Sequence, residues 1–232
     1  MAEPEVQYGI FKTEIKNRFL CTVNVDGTDT LCYIPSSCRL SNFIDMNNRK
    51  VMLLPIKKKD ARTKYSVYAI QYRRNFVPIG LSNVNSVIEK DLHRRLFSFL
   101  GDRKHVFREK SIDGYKSDLY IEDSDTIIEI KSILSFDRAA LFPTVFSERA
   151  NRQLESIKKL LLSGHRVCYM FVSMYSGTQQ ITVNEEQLEY YSLFRDCMRE
   201  GMTVRGYSLY MNSGKPRVKT TVGLNIRTNL RS

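Results

Sequence analysis

The alternation in Asp125-Thr-Ile-Ile-Glu-Ile-Lys131 constrains the fold of this chain more than any other stretch. A strand has a side-chain period of two, so Glu129 and Lys131 share one face while Ile128 and Ile130 point to the other. A carboxylate and an amine on the inward face of an apolar strand need partners, because burying unpaired charge is costly. Asp118 precedes a second apolar run, Leu119-Tyr120-Ile121, and the polar Glu122-Asp-Ser-Asp125 between the two runs reads as a turn. A hairpin there brings Asp118 beside Glu129.

That pairing suits phosphodiester hydrolysis. Two close carboxylates repel each other and attract a hard divalent cation such as Mg²⁺. The metal polarises a phosphoryl oxygen and lowers the pKa of a bound water. Lys131 is then placed to orient that water and to offset charge in the transition state. An acid, a variable gap and then acid-x-Lys on the next strand resembles the core of the PD-(D/E)xK nucleases. The bland alternative for the same spacing is a solvated hairpin with an ordinary cross-strand ion pair. The strand context and the basic composition favour the nuclease reading.

The chain has 232 residues, 42% of them hydrophobic, which is enough for one large domain or two small ones with a packed core. Its formal net charge of +11 favours a polyanionic partner such as nucleic acid. Cys21, Cys32, Cys38, Cys168 and Cys197 are odd in number and lack CxxC spacing, which argues against a disulfide framework or a zinc site. They read as reduced, mostly buried thiols of a cytoplasmic protein. The polar start, Met1-Ala-Glu-Pro-Glu-Val, does not read as a signal peptide. Apolar runs such as Val167-Cys-Tyr-Met-Phe-Val172 are too short to span a bilayer, so no membrane partner is expected.

Residues from about Gly9 to Leu54 read as short strands. Phe19 to Val25 and Thr30 to Ile34 flank Asp26-Gly27, a strong hairpin signal. Another strand, Tyr65 to Tyr72, follows the basic loop Lys57 to Lys64, and short strands at this spacing suggest a small barrel. The composition changes near Leu81. Ser82 or Asn83 is placed to cap a helix from about Asn85 to Leu100, ended by Gly101. Helices are also predicted from about Ser147 to Ser163, closed by Gly164, and from about Glu185 to Glu200, ended by Gly201. A buried strand runs from His165 to Met174, and Thr203 to Met211 and Arg217 to Ile226 read as terminal strands. This order predicts a two-domain α+β or α/β protein: a small barrel over residues 1–82, then an α/β domain over residues 83–232 that carries the candidate site.

Three segments carry a resemblance. Ala140-Leu-Phe-Pro-Thr-Val-Phe-Ser-Glu-Arg149, then Gly164-His-Arg166, and Ile128-Glu-Ile-Lys-Ser132 together make the chain similar to the sugar fermentation stimulation protein family (SfsA). Lys116-Ser-Asp118 and Val87-Ile-Glu89 match further family segments, and the resemblance covers nearly the whole chain. It implies an N-terminal OB-like barrel followed by a PD-(D/E)xK, restriction-endonuclease-like domain, acting as a DNA-binding protein or a DNA/RNA nuclease. Two segments depart from the family. Ile34-Pro-Ser-Ser-Cys38 stands where the family has Cys-Pro-Asn-Thr-Gly, which puts a ligand contact by that loop in doubt. Ala150-Asn-Arg-Gln153 stands where it has Gly-x-Lys-His. Arginine for lysine keeps a phosphate contact, whereas Gln153 cannot titrate as histidine does.

The expected metal ligands are Asp118 and Glu129, with the Ile130 carbonyl as a third oxygen, and Lys131 is the expected water-orienting residue. Mg²⁺ or Mn²⁺ is the expected cofactor. Glu89 has two readings: a further acid that holds a metal-bound water, or a solvated helix residue. Arg149 and Arg152 lie about one helical turn apart and read either as phosphate contacts or as a solvated face. In the barrel, Lys57, Lys58, Lys59, Arg62, Lys64, Arg73 and Arg74 border Tyr65, Tyr68 and Tyr72. Basic residues interleaved with aromatics fit a single-strand groove, and the alternative is a solvated loop beside ordinary strand tyrosines. His93, His105 and His165 are not spaced as a site.

These readings predict a cytoplasmic protein that binds nucleic acid and hydrolyses DNA or RNA phosphodiesters, including RNA–DNA hybrids, with little sequence specificity. The rival is a non-enzymatic DNA-binding regulator of sugar-utilisation genes, as the family name implies. A dimer is compatible with the chain, and no interface can be read from it.

Overall fold

The computed structural model describes residues 6–15, 19–35, 40–42, 44–58, 60–80 and 83–226. Of the residues named above, Met1–Glu5, Ser36–Cys38, Lys59, Leu81 and Ser82 lie outside the described residues.

Alternating burial organises the N-terminal half. Strands β1 (Gln7–Glu14), β2 (Leu20–Val25), β3 (Thr28–Tyr33), β4 (Lys50–Pro55) and β5 (Tyr65–Tyr72) turn their buried side chains inward. β1 pairs antiparallel with β2 and β4, β2 with β3, and β4 with β5. A short parallel pairing of β3 with β5 closes the barrel, and β6 (Asn75–Pro78) continues from β5 as a hairpin. Asp26 and Gly27 form the expected turn, both with positive φ (49° and 85°), the backbone that a two-residue hairpin turn needs. At Gly9 a Cβ would come within 2.5 Å of Val23 and 2.8 Å of the Asn24 carbonyl oxygen, so only glycine lets β1 lie this close over β2.

The C-terminal half is an α/β unit. Its main sheet has the order β16 (Lys215–Thr221), β15 (Thr203–Asn212), β13 (Arg166–Ser173), β11 (Thr126–Ile133), β10 (Leu119–Ile121), β7 (Val106–Arg108). The central strands β11, β13 and β15 run parallel. The crossovers between them are α2 (Glu148–Leu162) and α3 (Leu188–Arg199), which pack on each other. A second parallel sheet joins β12 (Ala139–Phe142), β14 (Gln180–Val183) and β17 (Gly223–Asn225). β8 (Ser111–Ile112) and β9 (Tyr115–Lys116) form a small separate hairpin. Helix α1 (Val84–Asp91) contacts β16 and β11.

Period-two alternation divides the core between the two faces of the sheet. Ile128 and Ile130 of β11, with Cys168, Met170 and Val172 of β13, join the barrel interior in one continuous cluster. Ile127 and Ile133, with Val167, Tyr169 and Phe171, face α2 and α3 in the other. The barrel is therefore packed directly onto the sheet. Cys21, Cys32, Cys168 and Cys197 are buried free thiols, and burial pushes the pKa of Cys168 up to about 12. Among the described residues no helix is long and apolar enough to cross a membrane.

Several predicted elements are corrected. The helix expected to reach Leu100 stops at Asp91, and Arg95–Leu100 continues as a 3-10 helix. Asp91 is fully buried there and binds the backbone N–H of Val218, while Arg94 takes an extended conformation between the two helical pieces. Asn83 sits at the N-terminus of α1 but makes no side-chain cap. α3 begins at Leu188 rather than Glu185, because the side-chain oxygen of Asn184 takes the Glu186 N–H in a turn. The last predicted strand divides at Val222 into β16 and β17, which belong to different sheets. β12 and β14 are strands that no pattern in the sequence marked.

Candidate active site

The β10–β11 hairpin sets the geometry. Leu119 pairs with Ile128, so the next position outward sets Asp118 opposite Glu129. Asp118 stands just before β10 rather than inside it. Its Oδ2 accepts the Ile130 N–H at 2.7 Å, and its Oδ1 accepts a hydrogen bond from the Asn85 side-chain amide at 2.8 Å. Helix α1 thus supports Asp118 through Asn85, a contact that no spacing in the sequence indicates.

Alternation turns Glu129 and Lys131 toward α2. Glu129 is only 2% exposed. Its Oε1 accepts from Lys131 Nζ at 2.6 Å, and its Oε2 accepts from the Tyr115 hydroxyl at 2.5 Å. Lys131 Nζ also donates to Gln153 Oε1 at 2.6 Å and lies 5.7 Å from the centre of the Tyr169 ring. Burial pushes the pKa of Glu129 up, and the Asp118 carboxylate pushes the same way. Lys131 and the Tyr115 hydroxyl oppose that rise. The phenol of Tyr115 is itself held far above its ordinary range by burial and by the adjacent Glu129.

Helix α2 supplies the opposite wall. Ser147 caps it, its Oγ accepting the Ala150 N–H at 3.2 Å. Arg149 and Gln153, four residues apart, then face the same cleft. The cleft holds about 380 Å³ and is lined by Asp118, Glu129 and Lys131 from the hairpin, Arg149 and Gln153 from α2, and Pro143, Thr144 and Val145 before it. Acids, an amine and a guanidinium thus line one shared space. Tyr115 and Asn85 are the members of this arrangement that the sequence reading missed.

Other predicted residues lie apart from the cleft. The Glu89 carboxylate pairs with Arg108 of β7, whose Nε lies 2.6 Å from Oε2, and it does not line the cleft. Arg152 is exposed and 3.6 Å from Glu148, and unlike Arg149 it does not line the cleft. Lys57, Lys58, Arg62, Lys64, Arg73 and Arg74 are all exposed on the barrel. Tyr72 is not a free stacking surface, because its ring packs on Phe136 at 5.0 Å and Tyr175 at 5.1 Å. Among the described residues the exposed barrel aromatics are instead Tyr8, with Lys50 4.5 Å over its ring, and the stacked pair Phe19 and Tyr33. His93 is exposed, His105 pairs with Asp123, and His165 bridges Asp113 and Asp125.

Residues 15–79 match the family model described as the SfsA N-terminal OB domain, and residues 82–215 match the sugar fermentation stimulation protein RE domain. The chain belongs to the SfsA family. Among curated SfsA relatives, the sugar fermentation stimulation protein homolog of Caldanaerobacter subterraneus subsp. tengcongensis is 26% identical over 196 residues, 83% of this chain and 85% of that one. The homolog of Methanobrevibacter smithii is 24% identical over 192 residues, 77% of this chain and 79% of that one. The solved structure of Pyrococcus furiosus SfsA in complex with Ca²⁺ covers 97% of this chain and 98% of its own, with a TM-score of 0.80 at 20% identity. The SfsA fold, an OB domain followed by an α/β domain, is therefore the fold of this chain.

Proposed function

We propose that this SfsA chain is a divalent-metal-dependent nuclease of the PD-(D/E)xK type. It would hydrolyse DNA or RNA phosphodiesters with little sequence preference. One observation carries the reading: Lys131 Nζ sits 2.6 Å from both Glu129 and Gln153, across the hairpin from Asp118, in a cleft that Arg149 also lines.

The donor set fits a hard cation. Asp118 and Glu129 offer carboxylate oxygens that accept hydrogen bonds from Asn85, Ile130, Tyr115 and Lys131. A carboxylate has about four acceptor sites, so both groups keep capacity for a metal. A cation shared by the pair would also relieve the burial and repulsion that raise the Glu129 pKa. The Pyrococcus furiosus relative was solved with Ca²⁺, which shares with Mg²⁺ and Mn²⁺ a preference for oxygen ligands. Bound at Asp118 and Glu129, Mg²⁺ or Mn²⁺ supplies Lewis-acid polarisation and an acidified water.

The remaining roles belong to side chains. Lys131 orients the attacking water and offsets charge that develops on the phosphoryl oxygens. Gln153 holds Lys131, and Tyr115 holds Glu129. Arg149 binds a non-bridging oxygen of the scissile phosphate. The exposed cations of the barrel add attraction that is independent of sequence and falls steeply with salt.

The test is cleavage of labelled single-stranded DNA, duplex DNA and RNA–DNA hybrid with Mg²⁺ or Mn²⁺, comparing wild type, Asp118→Ala and Lys131→Ala. Metal-dependent cleavage that vanishes in both variants is expected. Salt-sensitive binding with no cleavage above the variants would overturn the proposal in favour of a DNA-binding regulator.

A further inference from the structure

A second cavity adjoins the cleft. It holds about 170 Å³ between the N-terminal ends of α2 and α3, and it shares Pro143, Ser147 and Ala150 with the cleft wall. Phe146 and Leu188 line it, although they are 66% and 78% exposed. Large apolar side chains left in water beside a charged cleft mark a surface suited to an apolar face.

Its polar lining is selective. Glu186 and Glu189 border the cavity, and no Lys, Arg or His is among its described lining residues. Two carboxylates without a cation repel a phosphate but accept hydrogen bonds from amino groups. Asn151 also lines the cavity. It is 4% exposed and its side-chain nitrogen has no hydrogen-bond partner. A buried amide donor without a partner is expensive, so it is suited to a ligand acceptor. The walls are tied together: Asn184 donates to the Pro143 carbonyl at 3.0 Å, while its own side-chain oxygen accepts the Glu186 N–H at 3.1 Å. The occupant these features describe has an apolar face, carries no negative charge, and is edged with both donors and acceptors.

We propose that this cavity is a nucleobase subsite, taking the base next to the phosphate in the cleft. The inference rests on the nuclease reading and deepens it by naming the substrate class. The base stacks on Phe146 and Leu188 while its edge meets Asn151 and the two glutamates. A base can enter only when it is unstacked from its neighbours, so the preferred substrate is a single strand or a locally opened duplex.

The test is an abasic scan. A single-stranded oligonucleotide is cleaved with Mn²⁺ while each nucleotide in turn is replaced by an abasic one, using wild type, Phe146→Ala and Leu188→Ala. Both side chains are exposed, so neither substitution threatens the fold. Base stacking on an aromatic ring is worth about tenfold or more, so one abasic position beside the cut should lower wild-type kcat/KM by about that factor. Phe146→Ala should lower cleavage of the intact strand similarly and add no loss on the strand already abasic at that position. A flat scan, or equal losses on both strands, overturns the subsite. If no strand is cleaved by any protein, the nuclease reading fails and binding decides the subsite. Wild type should then change the fluorescence of a 2-aminopurine single strand, with affinity about tenfold weaker in Phe146→Ala. No fluorescence change, or equal affinities, would overturn it.

Discussion

The Tyr115 hydroxyl donates to Glu129 Oε2 across 2.5 Å, from a hairpin that lies outside the main sheet. This bond is one of the forces that hold the buried carboxylate toward its charged form. Tyr115→Phe removes the donor and leaves the ring. A hydrogen bond to a charged group contributes about 1.5 kcal/mol or more, so the variant should lose roughly that much stability near neutral pH. The Glu129 pKa should rise further. The acid limb of the pH–rate profile for metal-dependent cleavage should therefore move to higher pH, with the plateau rate little changed. A limb that stays in place would show that Glu129 does not titrate in the reaction.

Gln153 is the second anchor of Lys131. Gln153→Leu leaves the ammonium bound to Glu129 alone and free to drift from the place where the proposed mechanism needs it. The expected loss is on the order of tenfold in kcat, equivalent to one charge-assisted hydrogen bond, with KM nearly unchanged. Gln153→His restores an acceptor there, so it should recover most of the rate. Equal rates in wild type and both variants would mean that Lys131 needs no second support.

Much of this arrangement was legible from local pattern. Period-two alternation faced Glu129 and Lys131 together, the polar Glu122–Asp125 turn set Asp118 opposite, and Asp26-Gly27 marked its hairpin. Ser147 and Gly164 marked the ends of α2 for the same local reason. What escaped depends on long-range contact. Tyr115 sits on a two-residue strand with no periodicity to read. Asn85 is 33 residues from the Asp118 carboxylate it binds. Tyr72 resembles a stacking tyrosine until Phe136 and Tyr175 of the second half close over it. Strands β12 and β14 span only four residues each, too short for alternation to declare them.

His165 clamps the hairpin that carries Tyr115. Its Nε2 lies 3.1 Å from Asp113 in the hairpin turn, and its Nδ1 lies 2.9 Å from Asp125 at the start of β11. Burial opposes charging of the ring, but hydrogen bonds to the two carboxylates outweigh it and raise the pKa. A raised folded-state pKa gives stability that is fully present below the ordinary imidazole range and lost as pH rises through the higher value. His165→Gln should therefore lower the Tm more at about pH 5.5 than at about pH 8.5. The difference isolates His165 from His105, whose pKa is also raised, by its Asp123 partner. An equal drop at both pH values would mean that the clamp is not ionic.

Asp91 looks like a solvated residue at the end of a helix, yet it is fully buried. It accepts the Val218 N–H at 2.8 Å and lies 3.1 Å from Arg94 and 2.7 Å from Arg217, which fastens α1 to β16. Asp91→Ala leaves the Val218 N–H without its acceptor and two guanidinium groups without their carboxylate. The unpaired Val218 N–H should cost about 1–3 kcal/mol, while the two guanidinium groups, partly exposed, keep access to water. Asp91→Asn keeps an acceptor for Val218 and loses only the charge, so its cost should be smaller. Urea unfolding should show the midpoint falling in the order wild type, Asn, Ala with an unchanged slope. If Ala and Asn fall equally, the charge rather than the Val218 hydrogen bond carries the contribution. If Ala costs under about 1 kcal/mol, α1 is held to β16 by its apolar contacts instead.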